Sequence, residues 1–382
     1  MVACNIRPIA FFLFFILCVG TVDPGAGYIG SMALAVYFFC YKKHIKLNPI
    51  ARFFLVISVY SILFSYSSLC FDYRVYFTEM FKLLSIFSLF SVFASLNRTT
   101  IDQLMLAASL FIAVNIFSFE IGADGRLKGF FIHANHLAYA CVVIASYSIF
   151  FFRNNVKITV LLILAVAVLA SKSSGGLIVF IYSICGAYAT SYSVDIKKIS
   201  WGLVMVCVII IAAYFLGVVE LLFSKFSKFD LEEVSRKAQT MSFGSDGSLS
   251  WRASYWLAIL QHFFEGSSTH SMFGVGLGSQ TEGNYVYSFM KKDPHNDYVR
   301  LLVERGVVGF SVVLVSFLFF ISKVKRAMFL IGLVAIPMMS GNVIVSFPFL
   351  FLYGALVSRM FYENEVSQNE KNFVDNSFEG RD

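Results

Sequence analysis

Charge is what this chain has least of. Of its 382 residues only 14% are Asp, Glu, Lys or Arg, against about 25% in an ordinary soluble domain. That shortage excludes a soluble globule and a disordered polyelectrolyte alike. The seven cysteines, at 4, 18, 40, 70, 141, 185 and 207, form no Cys-x-x-Cys pair, and nearly all fall in apolar runs. They argue against a disulfide framework or a thiolate zinc site and read as small buried hydrophobes. No internal repeat, heptad or low-complexity tract is visible, so the paired halves of many transporters are missing. The glycine-rich FGVGLGS of 273–279 is not followed by Gly-Lys-Ser/Thr, which removes a nucleotide loop and leaves a flexible turn.

What the chain has instead is apolar length. It is 58% hydrophobic, with 44 Phe and 19 Tyr, and its mean hydropathy is +0.75. A bilayer core of ~30 Å takes about 20 apolar residues per helix. Runs of that kind are read at 8–22, 27–41, 49–70, 76–95, 101–119, 136–152, 156–170, 174–192, 199–219, 306–322, 327–342 and 345–361. The fold expected is all-α, a polytopic membrane protein of about twelve transmembrane helices. The run PIAFFLFFILCVG after Arg7 lacks a small-x-small cleavage site and is taken as an uncleaved first span.

The net charge of +7 lies mostly in short loops, which is a topology signal rather than a nucleic-acid footprint. Arg7, then Lys42, Lys43 and Lys46, Arg98, Arg153 and Lys157, Lys197 and Lys198, Lys323, Lys325 and Arg326, and Arg359 fall in alternate loops. The positive-inside rule puts those loops, and both termini, in the cytoplasm. The division expected is transmembrane helices 1–9 over 1–219, a large extracytoplasmic loop with short helices over 220–297, helices 10–12 over 298–361, and a polar, disordered tail over 362–382. Within the long loop, LEEVSRKAQTM and WRASYWLAILQHFF have helical character, and two of the three Trp in the chain, Trp251 and Trp256, sit there.

Polar chemistry gathers on the same side. In KKDPHNDYVRLLVERGVVGF (291–310), Asp293 can cap a helix with Pro294 in its first position. His295 then stands in the first turn, where the helix dipole favours a neutral, basic imidazole. Arg300 and Glu304 are an i, i+4 pair, and Gly306 and Gly309 allow close approach of another helix. The plainer reading is a polar cap with a structural histidine. GRLKGFFIHANHLAYA (125–140) puts Arg126 and Lys128 on that side, and Asn135 can cap the next span. His133 and His136 are spaced i, i+3, but no carboxylates accompany them and a metal site is not expected. In SKSSGG (171–176), Lys172 can hold an anionic headgroup or simply snorkel at the boundary. Arg252, between Trp251 and the Tyr255–Trp256 pair, can hold a sugar and a phosphate, or the segment can float its aromatics at headgroup level.

Taken in order, RLKGFFIHANHLA, SKSSGG, WRASYW, GVGLGS and HNDYVRLLVERGVVG resemble the bacterial O-antigen ligase and O-antigen polymerase superfamily over roughly residues 120–320. The resemblance implies a GT-C-like inner-membrane glycosyltransferase that uses glycans linked to undecaprenyl pyrophosphate and needs no metal, cofactor or nucleotide sugar. It places the family's essential histidine on His295 and its essential loop arginine on Arg252. Arg126, Lys172, Asn296, Trp256 and Glu304 become substrate-binding candidates. The family's second arginine stands in an S/T-R-G/A motif, where this chain has Ser171-Lys172-Ser173. Lys keeps the charge without the bidentate fork, and that departure tilts the reading from ligase towards polymerase. Implied partners are the lipid-linked donor, a glycan or lipid A-core acceptor, membrane lipids and a chain-length regulator protein, with no nucleic acid. A lipid-linked oligosaccharide transporter is the remote alternative; it would want charges buried mid-membrane, whereas Arg52, Glu79 and Lys82 are the few found in spans.

Overall fold

Long apolar runs with few breakers become helices wherever a bilayer leaves the backbone no other partner. The computed structural model describes residues 7–41, 47–64, 72–118, 120–122, 125–191, 230–241, 243, 249–280, 285–290, 292–339, 341, 343–344 and 346–379. Among them the helices are α1 (Arg7–Val22), α2 (Pro24–Tyr41), α3 (Pro49–Phe64), α4 (Tyr73–Ala94), α5 (Arg98–Phe117), α6 (Ala134–Phe151), α7 (Asn154–Ala170), α8 (Ser174–Ser191), α9 (Leu231–Thr240), α10 (Leu249–Glu265), α11 (Ser268–Phe273), α12 (Asp297–Ile321), α13 (Ala327–Met338) and α14 (Phe347–Glu379). The described residues contain no strand, only an isolated bridge between Ile121 and Leu127.

Four helices, α4, α5, α6 and α12, are long and apolar enough to cross a membrane, and α1, α2, α3, α7, α8 and α13 contain shorter apolar stretches. These helices and the start of α14 coincide with eleven of the expected spans; the twelfth, 199–219, lies outside the described residues. Exposed Phe11, Phe15, Leu110, Phe117, Leu162, Val315 and Phe319 coat the outside with apolar surface, as a multi-pass membrane protein requires. The tail departs from expectation. Instead of a disordered end, α14 continues to Glu379, because no Gly or Pro interrupts the chain between Gly354 and Gly380.

The bundle winds around α6, which is buried along most of its length and packs on α7, α8 and α14. On the far side α4 packs on α2, α3 and α14, while α12 lies against α3 and α13 against α8. Lipid is as apolar as a leucine, so close packing holds such helices rather than exclusion of water. Phe90, Phe93, Tyr139, Phe180, Phe347, Phe349 and Phe351 lie fully buried in the core.

The two ends of the bundle differ. At one, Asp102 accepts hydrogen bonds from the hydroxyl of Tyr147 and, at 3.1 Å, from Nε of Arg359. Arg326 and Arg359 share Glu363 and lie over the rings of Phe150 and Phe151. The other end, where α6, α8, α12 and α14 begin, holds the groups described next.

Candidate functional site

Four segments far apart in sequence build the polar end. The first joins α5 to α6. Asn115 of α5 accepts from the Phe130 amide at 2.7 Å, and the Leu127 amide donates to the Ala170 carbonyl at 3.0 Å. These bonds place Arg126. Its Nε donates to the Ser171 carbonyl at 2.8 Å and its Nη2 to Asn135 Oδ1 at 2.6 Å. Ser173 Oγ donates to the same Asn135 oxygen at 2.8 Å. Asn135 therefore does not cap α6, as the sequence suggested. His133 takes the cap position without a side-chain bond, and Asn135, one step into the helix, is held by Arg126 and Ser173. The His133 and His136 rings meet edge-on at 5.4 Å. Gly176 sits against Ala138, which draws α8 onto α6 and seats the 171–173 turn beside Arg126. Lys172, the middle residue of that turn, is exposed and has a φ of 47°.

The second and third segments are α10 and the loop before α12. Trp256 Nε1 donates to the Pro294 carbonyl at 2.6 Å, and the Tyr255 hydroxyl donates to the Lys292 carbonyl at 2.6 Å. The Lys292 ammonium lies 5.0 Å above the Trp251 ring, and the Arg252 guanidinium 5.9 Å from the same ring. The cap of α12 differs from expectation. Asn296, not Asp293, accepts from the first helical amides, those of Tyr298 at 3.0 Å and Val299 at 3.2 Å. Asp293 is already committed to a local turn, accepting from the His295 amide at 2.9 Å. His295 thus stands just ahead of the helix, with φ 50°, rather than in its first turn.

Its neutrality then has a different source from the one expected. Burial holds the His295 imidazole below its ordinary pKa, Asp293 opposes, and Arg252, His133 and Lys292 push it further down. Burial likewise lowers Arg252, with Tyr139 opposing and Arg126 adding to the effect. An arginine stays charged regardless; the direction expresses how little local charge compensates this one. Arg252 Nε is buried without a hydrogen-bond partner. Arg126, Arg252, His133, Lys292 and His295 therefore share one positive field, tempered by Asp293.

The fourth segment lies beneath. Arg300 is buried and reaches Glu304 at 3.1 Å, Glu79 at 3.8 Å and Asp293 at 4.0 Å, while Lys82 pairs with Glu79 at 2.6 Å. Glu79 and Lys82, two of the charges noted in the spans, are thus partnered near the head of α12. Glu304 also accepts from the Gly278 amide at 3.2 Å. Asp297, fully buried, accepts from the amides of Val343 at 2.7 Å and Ile344 at 3.1 Å, and ties the α13–α14 connection to the start of α12. A mostly apolar cleft of ≈ 180 Å³ runs from this network between α3, α4, α12 and α13.

Two turns into α12, Gly306 leaves the helix (φ 69°, ψ 178°). The break frees carbonyls, and the glycine-rich turn supplies their donors. The Val275 amide bonds the Val303 carbonyl at 2.9 Å, and the Gly276 amide bonds the Glu304 carbonyl at 3.2 Å. Gly274 and Gly306 meet backbone to backbone. The turn expected to be flexible is pinned, and what Gly306 admits is this loop; Gly309 faces Tyr60 of α3.

Of the residues singled out from sequence, the fold brings Arg126, Arg252 and His295 into one electrostatic neighbourhood, with Lys172 beside Arg126 and Trp256 against the histidine loop. Asn296 is occupied as a cap. Glu304 lies in the buried ionic network, reached from the cluster through Arg300 and Asp293. Sequence reasoning missed Asp293 as the residue turned onto His295, and the knot of Asn135, Ser171 and Ser173. Among the described residues no group of three or more His, Cys, Asp or Glu could hold a metal ion.

No curated protein matches the chain. Residues 159–314 match the family model described as O-antigen ligase. That stretch holds Lys172, Arg252, Trp256, His295, Asn296 and Glu304, and Arg126 is drawn to it from α5–α6. The chain thus carries, over residues 159–314, a segment similar to the O-antigen ligase family, which supports a relationship to the O-antigen ligase and O-antigen polymerase superfamily.

Proposed function

We propose that the chain transfers a glycan from undecaprenyl pyrophosphate to a sugar hydroxyl at the extracytoplasmic face of the bacterial inner membrane, with both termini in the cytoplasm. The observation that carries this reading is the buried, unpartnered Nε of Arg252 in a positive field shared with Arg126 and a neutral histidine. Such a field suits a pyrophosphate leaving group, on which negative charge grows as the glycosidic bond breaks. Arg252 takes that charge, and Arg126 and Lys172 add to the attraction. His295 removes the proton of the attacking hydroxyl as the new bond to the anomeric carbon forms, and the configuration there inverts. Trp256 acts through the histidine loop, to whose Pro294 carbonyl its indole N–H is bonded. Asn296 and Glu304 serve indirectly, one capping the helix behind His295 and the other steadying Arg300. Protein groups supply the whole charge balance, so no metal is required.

We favour a polymerase that extends a chain by repeat units, under a chain-length regulator, because Ser171-Lys172-Ser173 departs from the arginine motif of ligases. A ligase acting on lipid A-core is the second reading, in keeping with the O-antigen ligase family that residues 159–314 match. Deletion of the gene separates the two: loss of polymerase leaves core plus one repeat unit on a lipopolysaccharide gel, and loss of ligase leaves bare core. Complementation with His295→Ala should fail while the protein still inserts; a normal ladder would refute the mechanism.

A further inference from the structure

We propose that Tyr255 and Trp256 are positioning residues for His295, which they hold through the carbonyls of Lys292 and Pro294. The inference deepens the function proposed above and rests on it for the role of the histidine, but not for the geometry.

Two adjacent side chains of α10 each donate a 2.6 Å hydrogen bond to the loop, one on either side of Asp293. Asp293 folds back onto the His295 amide, and Asn296 fixes the next residue to the head of α12. His295 is the link between two clamped points. It stands at φ 50°, a left-handed conformation that is strained for a non-glycine residue and persists only where neighbours impose it. The spacing supplies the purpose. Arg252 lies three and four residues before Tyr255 and Trp256, so all three share a face of α10. One rigid helix thereby fixes the distance from the anion-holding guanidinium to the imidazole. The stretch that could hold a substrate or float at headgroup level works as a ruler between the anion-holding group and the base.

The test reads the histidine directly. The purified full chain in detergent is labelled with diethyl pyrocarbonate across a pH series, and modification of each histidine is followed by mass spectrometry. Wild type is compared with Trp256→Phe and Tyr255→Phe, with His270 of exposed α11 as internal reference. Release of one loop hydrogen bond should speed His295 labelling about fivefold and move its midpoint up towards the ordinary imidazole value of about 6.5, while His270 is unchanged. Wild-type rate and midpoint at His295 in a folded variant would overturn the proposal, and either variant suffices. In a transfer assay the variants should lower kcat at constant KM. A raised KM at constant kcat would make the ring a sugar contact and also overturn positioning. A wild-type chain inactive in transfer would remove the proposed function and leave the labelling to decide this inference.

Discussion

Gly306→Ala is the sharpest structural test. A Cβ there would sit 2.3 Å from the Met272 carbonyl oxygen and 2.4 Å from the Gly274 nitrogen. Both are backbone atoms, so no side chain can swing aside. The φ of 69° with ψ of 178° is a region almost closed to other residues, which costs of order 1–3 kcal/mol. Pushing the 272–276 turn away would also lose its bonds to the carbonyls of Val303 and Glu304, at about 1 kcal/mol each. The total is about 3–5 kcal/mol, or roughly 6–20 °C at ~2–4 °C per kcal/mol. Thermal unfolding in detergent, followed by a thiol-reactive dye as buried Cys141 becomes accessible, measures it. Gly266→Ala is the control, since its new methyl would meet only two carbonyls at 3.4 Å. If the two variants melt together, the break at Gly306 is not the constrained junction described here.

Other expectations follow from the same geometry. Arg252→Lys keeps the charge but loses the fork, and transfer should fall by about 10²-fold or more; retention of half the wild-type rate in a membrane assay would refute the anion-holding role. Arg126→Ala should impair transfer more than Lys172→Ala, because Arg126 is anchored to Ser171 and Asn135 while Lys172 is exposed; the reverse order in gel ladders would make Lys172 the principal cation. His295 is held below its ordinary value, so the base form survives to lower pH than a free imidazole. The acid limb of the rate should fall as pH drops through a midpoint below about 6.5, and a midpoint above it would remove His295 as the base. Asp297→Ala strands one buried and one half-buried amide and should lower the melting temperature, whereas Asp297→Asn keeps an acceptor and should do so much less.

The helices were legible because a bilayer reads composition and length directly, and eleven expected spans coincide with helices. Ends were less so. DPHND offers three Asx side chains within five residues, and sequence cannot say which amide each will take; Pro294 made Asp293 look like the cap that Asn296 turned out to be. The break in α12 was hidden because ERGVVGF is compatible with an unbroken helix. Its signature is distributed, with Gly306 in one segment and Gly274 and Gly276 in another. The surroundings of Glu304 were half legible for a related reason: the local pair with Arg300 was visible, but Glu79, from a helix more than two hundred residues earlier, was not. The polar side of the bundle could be read from charge alternation. The bonds of Trp256 and Asn135 could not, since both depend on which carbonyl or guanidinium the fold carries to them.

The break in α12 has a mechanical consequence. A straight rod through a bilayer carries its tilt to its tip, so a change in membrane thickness would re-aim whatever the tip presents. Here the rod is jointed at Gly306, and the upper piece is bonded sideways to the 274–278 turn, to Glu79 and, through the histidine loop, to α10. The lower piece can lean with the lipid while the upper piece stays registered to its neighbours. The end that carries His295 is therefore referenced to the protein rather than to the membrane in which it stands.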